Sequence, residues 1–252
     1  MLPPMPPRAR LLVLACSALL ACRGGGEREL RVSAAMSLKD AFTTLEPGFE
    51  ARHPGVDVVY NFAGSQVLAG QISEGAAIDV FASADEPQMQ RAVASGRLDA
   101  PAVFARNRLV LITPAADPAK ISGPADLARP GLRLVLAGPG VPAGAYAREA
   151  LEQLGVAAPA LANLVSNEEN VRGVVGKVAS AEADAGIVYA TDVTAAVADK
   201  LRALPLPVDV TPRYEVAALK DSREAELARA FVAELRGAEG RGVLASHGFL
   251  GP

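Results

Sequence analysis

Residues 30–74 read LRVSAAMSLKDAFTTLEPGFEARHPGVDVVYNFAGSQVLAGQISE, and apolar runs of two kinds alternate along them. Leu30–Ala34 and Val56–Asn61 are short runs of the length expected for buried strands. Leu38–Ala51 and Val67–Glu74 are longer, and their apolar residues recur at the period of a helix with one buried face. Because strands that alternate with helices pair mainly in parallel, this stretch predicts an α/β fold with a mostly parallel sheet.

The same alternation continues toward the C-terminus and forms two series. The predicted elements after residue 74 are, in chain order, a strand Asp79–Ala82, a helix Glu86–Ser95, a strand Arg108–Thr113, a short helix Pro124–Ala128, a strand Arg133–Ala137, helices Ala143–Leu154 and Val171–Ser180, strands Gly186–Tyr189 and Tyr214–Leu219, a helix Arg223–Leu235 and a short helix within Val243–Leu250. Two series followed by a return segment predict two lobes that hold a ligand between them. We place the crossings between the lobes near Asn107 and Pro212. The first lobe then comprises residues 29–107 and 213–252, and the second lobe residues 108–212.

The N-terminus has the composition of an export signal. Arg8 and Arg10 precede an uncharged apolar run, Leu11–Ala21, which is too short to span a bilayer as a helix. Residues 1–21 are therefore predicted to be a signal peptide that is removed. The exported protein would reach the periplasm or the cell surface.

The end of this signal resembles the lipobox of bacterial lipoproteins, because it reads Leu19-Leu20-Ala21-Cys22. In such proteins cleavage precedes the cysteine, so Cys22 would carry the lipid and anchor the protein to a membrane. An ordinary cleaved signal with incidental cysteines is the alternative interpretation. The glycine-rich residues 22–28 are predicted to be a flexible tether.

Composition argues against several classes of protein. The chain has 25 Lys and Arg against 28 Asp and Glu, no Trp and no basic cluster, so it is poorly matched to nucleic acid. Neither G-x-S-x-G nor S-x-x-K occurs, and the two histidines, His53 and His247, stand outside any metal-ligand spacing. Gly173-Val174-Val175-Gly176-Lys177 lacks the spacing and the hydroxyl residue of a phosphate loop. We therefore predict a protein that is not an enzyme and needs no cofactor or metal cation.

Three predicted turns from strand to helix offer hydrogen-bond donors. Ser37 and Ser65 each precede or begin a helix, and Gly64 allows a ligand to approach the backbone. In the second series, residues 138–144 open a helix so that the N–H of Ala143 is free to face a cleft. The alternative is that each serine is a plain N-cap.

These positions fall within segments that resemble a known family. The segments are Ser33-Ala34-Ala35-Met36-Ser37-Leu38, Asn61-Phe62-Ala63-Gly64-Ser65, Asp79-Val80-Phe81-Ala82-Ser83-Ala84-Asp85, Val141-Pro142-Ala143-Gly144, Glu169-Asn170-Val171-Arg172-Gly173 and Ala185-Gly186-Ile187-Val188-Tyr189. Their order and spacing resemble those of the molybdate-binding proteins of bacterial ABC importers. That resemblance implies the type II periplasmic-binding-protein fold, with the ligand in a cleft between two lobes.

The resemblance also implies a site and partners. The oxyanion, molybdate or tungstate, would be held by Ser37, Ser65, Ala143, Val171 and Tyr189. The protein would be a monomer that delivers its ligand to an ABC permease with its ATPase. Alternatives within the same fold are a binding protein for another anion, such as sulfate or phosphate, and a lipoprotein that reports ligand to a sensor. One departure from the family is that Ala63-Gly64-Ser65-Gln66 stands where the family often has a run of serines.

Overall fold

A computed structural model describes residues 28–252 and shows two five-stranded sheets flanked by helices. The strands are β1 (Arg28–Ala35), β2 (Val56–Ala63), β3 (Val80–Ser83), β4 (Ala102–Arg106), β5 (Leu109–Pro114), β6 (Leu134–Ala137), β7 (Leu164–Glu168), β8 (Ala185–Tyr189), β9 (Leu201–Pro205) and β10 (Arg213–Ala218). The helices are α1 (Lys39–Arg52), α2 (Ser65–Ser73), α3 (Glu86–Val93), α4 (Pro142–Gln153), α5 (Ala157–Ala162), α6 (Val171–Ala179), α7 (Ala225–Arg236) and α8 (Ala238–Ser246). Short 3₁₀ helices span Met36–Leu38, Pro124–Ala128 and Ala190–Asp192. The predicted α/β class is confirmed.

The strand order is β2-β1-β3-β10-β4 in the first sheet and β7-β6-β8-β5-β9 in the second. We call the first sheet and its helices the first lobe, and the second sheet and its helices the second lobe. The residue boundaries of the lobes stay a prediction. The chain passes between the sheets directly after β4 and again directly before β10, and the N–H of Asn107 donates to the carbonyl of Pro212 over 2.9 Å. The two passages therefore lie side by side.

The predicted mostly parallel sheets each contain one reversed strand, so both sheets are mixed. In the first sheet β1 is parallel to β2 and β3, but β10 is antiparallel to β3 and β4. In the second sheet β6 is parallel to β7 and β8, but β5 is antiparallel to β8 and β9. A helical crossover returns the chain to the starting edge, which makes the next strand parallel. Both reversed strands arrive from the other lobe without such a crossover.

Strands β4, β7 and β9 and helix α5 were not predicted. All three strands are at sheet edges, where one side of the strand faces solvent and no continuous apolar run is needed. The last helix also differs from its prediction, because α8 begins at Ala238 instead of near Val243. Its first turn rests against the end of α7, a tertiary contact that local apolar spacing does not encode.

The core of the first lobe is built around buried phenylalanines. Phe42 of α1 contacts Phe104 of β4 and Phe231 of α7, with ring centroids 6.2 Å and 5.9 Å apart. The hydroxyl of Tyr60 in β2 donates to the Phe42 carbonyl over 3.0 Å. These contacts hold α1 and α7 on one face of the sheet.

No helix within residues 28–252 is long and apolar enough to cross a membrane. The predicted signal peptide, lipidated Cys22 and most of the tether lie outside the described residues.

Candidate anion-binding site

A small cavity lies between the lobes, and all five predicted site residues line it. The residues at its wall are Ala35, Met36, Ser37, Gly64, Ser65, Ala84, Val141, Pro142, Ala143, Asn170, Val171 and Tyr189. They come from the ends of β1 and β8, from the residues that directly follow β1, β2 and β3, and from the starts of α2, α4 and α6. The structure thus brings the five positions together at the ends of strands and the starts of helices, where ligands of α/β proteins are commonly bound.

The two serines are buried, and neither caps its own helix. Ser37 is 6% exposed and Ser65 is 1% exposed. The N-cap of α2 is Gly64, and neither helix start has a side-chain capping bond. The hydroxyl of Ser65 instead accepts the N–H of Ala84 over 3.1 Å. Its own proton is therefore left to donate, and the cavity is on that side.

The second lobe contributes backbone N–H groups at two helix starts. The side chain of Asn170 accepts the N–H groups of Arg172 at 3.0 Å and of Gly173 at 3.3 Å. This leaves the N–H of Val171, the first residue of α6, without an acceptor among the described residues. Ala143 is in the same situation in α4, because Pro142 supplies no N–H and no side chain caps the helix. Both N–H groups add to the partial positive charge at a helix start.

Tyr189 supplies a fifth donor. It is 1% exposed, and its hydroxyl has no hydrogen-bond partner among residues 28–252. Burial raises the pKa of this hydroxyl well above its ordinary value, so it remains protonated. An unpaired buried hydroxyl is rare in proteins and indicates a place where a ligand atom completes the bond.

No charged residue lines the cavity. Arg172, which follows the lining residue Val171, forms an ion pair with Asp40 of the first lobe. The other side of Arg172 is 3.8 Å from the fully buried carboxylate of Asp192, which accepts the N–H of Tyr189 over 3.2 Å. Burial raises the pKa of Asp192 to about 7, although Arg172 and the Tyr189 N–H act to lower it. The ligand-facing surface is therefore made of neutral donors.

Two glutamines join the lobes across the cleft and were not predicted. Gln66 donates to the carbonyl of Glu169 over 3.0 Å, and Gln88 donates to the carbonyl of Gly140 over 3.2 Å. Gln66 occupies the position at which the sequence departs from the serine-rich run, so its role is to span the cleft. Local sequence gives no signal for these contacts, since each joins residues about 50 to 100 positions apart.

Comparisons with known proteins agree with this architecture. The chain matches the family described as bacterial extracellular solute-binding protein over residues 30–250. It is 42% identical over 230 residues to the molybdate-binding protein ModA of Mycobacterium tuberculosis, covering 90% of this chain and 86% of that protein. The predicted fold and family resemblance are thereby confirmed.

Two solved structures show how widely the fold is used. The periplasmic molybdate-binding protein of Azotobacter vinelandii superposes with a TM-score of 0.78 at 24% identity, covering 88% of this chain and 99% of that chain. The sulfate-binding protein SubI of Mycobacterium tuberculosis superposes with a TM-score of 0.79 at 16% identity, covering 88% and 86%. At these identities the likeness concerns the fold alone, and proteins named for different anions share it. By its family match and its 42% identical relative, the chain belongs to the bacterial extracellular solute-binding proteins.

Proposed function

We propose that this protein captures molybdate or tungstate outside the cytoplasm and delivers it to the permease and ATPase of an ABC importer. The observation that carries the proposal is the cavity between the lobes, where two serine hydroxyls, a tyrosine hydroxyl and two helix-start N–H groups converge. The relative at 42% identity, which is named for molybdate, supports the choice of ligand.

The donor set suits a fully deprotonated tetrahedral dianion. Neutral hydroxyl and N–H donors can surround such an ion on several sides without a counter-charge, and helix dipoles at Ala143 and Val171 add favourable potential. Donors from two lobes also fix the distances between oxygens, so a larger oxyanion is separated from sulfate by size. Phosphate carries a proton near neutral pH, and no carboxylate lines the cavity to accept it.

Several further properties belong to the same proposal. The protein acts as a monomeric binding protein and not as an enzyme, since no histidine or carboxylate lines the cavity beside Ser37 or Ser65. The lipobox-like run before Cys22 supports a lipid anchor as its only attachment to the membrane. The ligand makes contact with both lobes, so binding favours the closed arrangement that the importer recognises.

Thermal unfolding of the purified exported protein tests the ligand. Molybdate, tungstate, sulfate and phosphate are each added in excess at matched ionic strength. Ligand at 100 times its dissociation constant stabilises the folded state by about 2.7 kcal/mol. We expect a rise in Tm with molybdate and tungstate and none with phosphate at the same concentration, because phosphate binds far more weakly. A rise with sulfate alone would replace the proposed ligand by the smaller dianion, and no rise with any anion would refute an oxyanion site.

Replacing Tyr189 by phenylalanine should weaken ligand binding without lowering the stability of the protein. The hydroxyl has no partner among the described residues, so its removal should not lower the free energy of unfolding measured without ligand. Affinity for molybdate should fall by about 1–3 kcal/mol, the scale of a buried acceptor that loses its donor. Calorimetric titration and urea unfolding measure the two quantities.

Tyr60→Phe is the matched control for that substitution. Its hydroxyl donates to the Phe42 carbonyl, and Tyr60 does not line the cavity. This variant should lose about 1 kcal/mol of stability and keep its affinity. If Tyr189→Phe instead lost stability and kept full affinity, the tyrosine would be a core residue and not a ligand contact.

A further inference from the structure

A chain of buried hydrogen bonds runs behind Ser37, away from the cavity. The Ser37 hydroxyl is 3.0 Å from the hydroxyl of Tyr214 in β10. The side-chain amide of Asn107 donates to the same Tyr214 hydroxyl over 3.3 Å and to the hydroxyl of Thr191 over 2.9 Å. Tyr214 is fully buried and Asn107 is 1% exposed, and neither residue lines the cavity.

The orientation of the Asn107 amide is fixed by the backbone. Its oxygen accepts the N–H of Arg108 over 2.9 Å, and an N–H can only donate. The Nδ2 atom must therefore face the two hydroxyls, and it can only donate to them. The backbone N–H of Arg108 thus fixes Asn107 as the donor in its hydrogen bond to Tyr214.

That direction passes along the chain to Ser37. The Tyr214 oxygen accepts a hydrogen bond from the Asn107 amide. Among the described residues, Ser37 is the one acceptor in reach of the Tyr214 proton. A buried hydroxyl that fails to donate is costly, so Tyr214 donates to Ser37. The Ser37 oxygen then accepts from Tyr214, and its own proton has no other partner among the described residues and is left to donate into the cavity.

Asn107 also lies where the two lobes join. It follows β4 directly, its N–H bonds to Pro212 in the second passage, and its amide reaches Thr191 in the second lobe and Tyr214 in the first. The residue that orients Ser37 is therefore held by both passages between the lobes. The orientation of the Asn107 side chain therefore depends on contacts with both lobes.

We propose that Asn107 and Tyr214 are positioning residues that hold the Ser37 hydroxyl as a donor toward the ligand, and that this fixed direction excludes oxyanions carrying a proton. The inference rests on the proposed function and deepens it, because it assigns discrimination between molybdate and hydrogen phosphate to residues outside the cavity. A serine that was free to turn would accept the proton of hydrogen phosphate. A serine that is held as a donor leaves that proton unpaired.

Asn107→Asp should reverse the chain. One carboxylate oxygen still accepts the Arg108 N–H, but the other now accepts the Tyr214 proton. Ser37 must then donate to Tyr214 and present its lone pairs to the ligand. At pH 8 molybdate and phosphate are both mainly dianions, so repulsion by the new carboxylate acts on both alike and cancels from the ratio of their affinities.

The measured quantity is this ratio, obtained by calorimetric competition on the purified exported protein. We expect Asn107→Asp to weaken molybdate binding and to narrow its advantage over hydrogen phosphate by roughly tenfold, the effect of one directed hydrogen bond. Tyr214→Phe, which adds no charge and frees Ser37 to turn, should narrow the ratio by a smaller factor. Tyr60→Phe should leave the ratio unchanged.

The outcomes are distinguishable. Equal losses for both anions, with the ratio unchanged in both variants, would show that Asn107 and Tyr214 act only on the general structure and would overturn the proposal. If Asn107→Asp does not fold, the ratio for Tyr214→Phe decides by itself. A wild-type protein that bound neither molybdate nor tungstate would instead refute the proposed function.

Discussion

Gly144→Ala is expected to lower the free energy of unfolding by about 3 kcal/mol, the upper part of the range for overpacked sites. An added Cβ would lie 2.1 Å from the carbonyl oxygen of Gly138 and 2.3 Å from that of Ala137. Both obstacles are backbone atoms, so no side chain can turn aside. The first turn of α4 must move away from the end of β6, and it takes the Ala143 N–H with it. Urea unfolding and molybdate titration should both register the change.

The matched control is Gly176→Ala in the middle of α6. A Cβ at this position meets nothing within 4 Å, and alanine is favoured over glycine in a helix by about 1 kcal/mol. This variant should be as stable as the wild type or more so, with unchanged affinity. If Gly144→Ala matched the wild type in both stability and affinity, the close approach of the first turn of α4 to the end of β6 would be contradicted.

Gly64→Ala is expected to weaken ligand binding by roughly tenfold to a hundredfold, which corresponds to the 1–3 kcal/mol scale of an added methyl group in a closed space. The added Cβ would lie 2.4 Å and 2.6 Å from the side-chain amide atoms of Gln66, and 2.7 Å from the carbonyl oxygen of Glu169, which belongs to the opposite lobe. The backbone of Gly64 has φ −63° and ψ 138°, a conformation that alanine adopts freely. The Gln66 side chain can turn aside by giving up its bond to Glu169, whereas the Glu169 carbonyl is backbone and meets the Cβ only when the lobes come together. Stability without ligand should therefore fall less than ligand affinity.

Calorimetry and small-angle scattering with and without molybdate test this prediction together. The variant should show lower affinity and less compaction on binding than the wild type. Gly123→Ala, where a Cβ meets nothing within 4 Å, is the control and should behave as the wild type. Full affinity with full compaction in Gly64→Ala would show that closing does not require Gly64 and Glu169 to approach as they do in this structure.

The parts of the site that sequence predicts are those fixed within one strand-to-helix turn. Ser37, Ser65 and Ala143 each stand between a predicted strand and a predicted helix, so their place at a helix start follows from local pattern. Tyr189 is different, because a tyrosine after a buried strand is more often a core residue, and only the family resemblance marked it. Its unpaired hydroxyl is visible in the structure alone.

The parts that sequence does not predict depend on contacts between distant residues. Gln66 and Asn107 have no local signal, since their roles come from Glu169 across the cleft and Tyr214 across the passages. The alternative interpretation of Ser37 and Ser65 as plain N-caps does not hold, because their partners are Tyr214 and Ala84 and not their own helices. The reversed directions of β5 and β10 likewise follow from how the chain travels between lobes.

The unpaired hydroxyl of Tyr189 limits how often a molecule without ligand adopts the closed shape. Closing over an empty cavity would bury this hydroxyl and the free N–H groups of Ala143 and Val171 with nothing to accept their protons. Each such group costs about 1–3 kcal/mol, so among empty molecules the closed shape should be rarer than the open shape by a factor of more than ten. A partner that senses shape would then respond to only a small share of the unloaded copies.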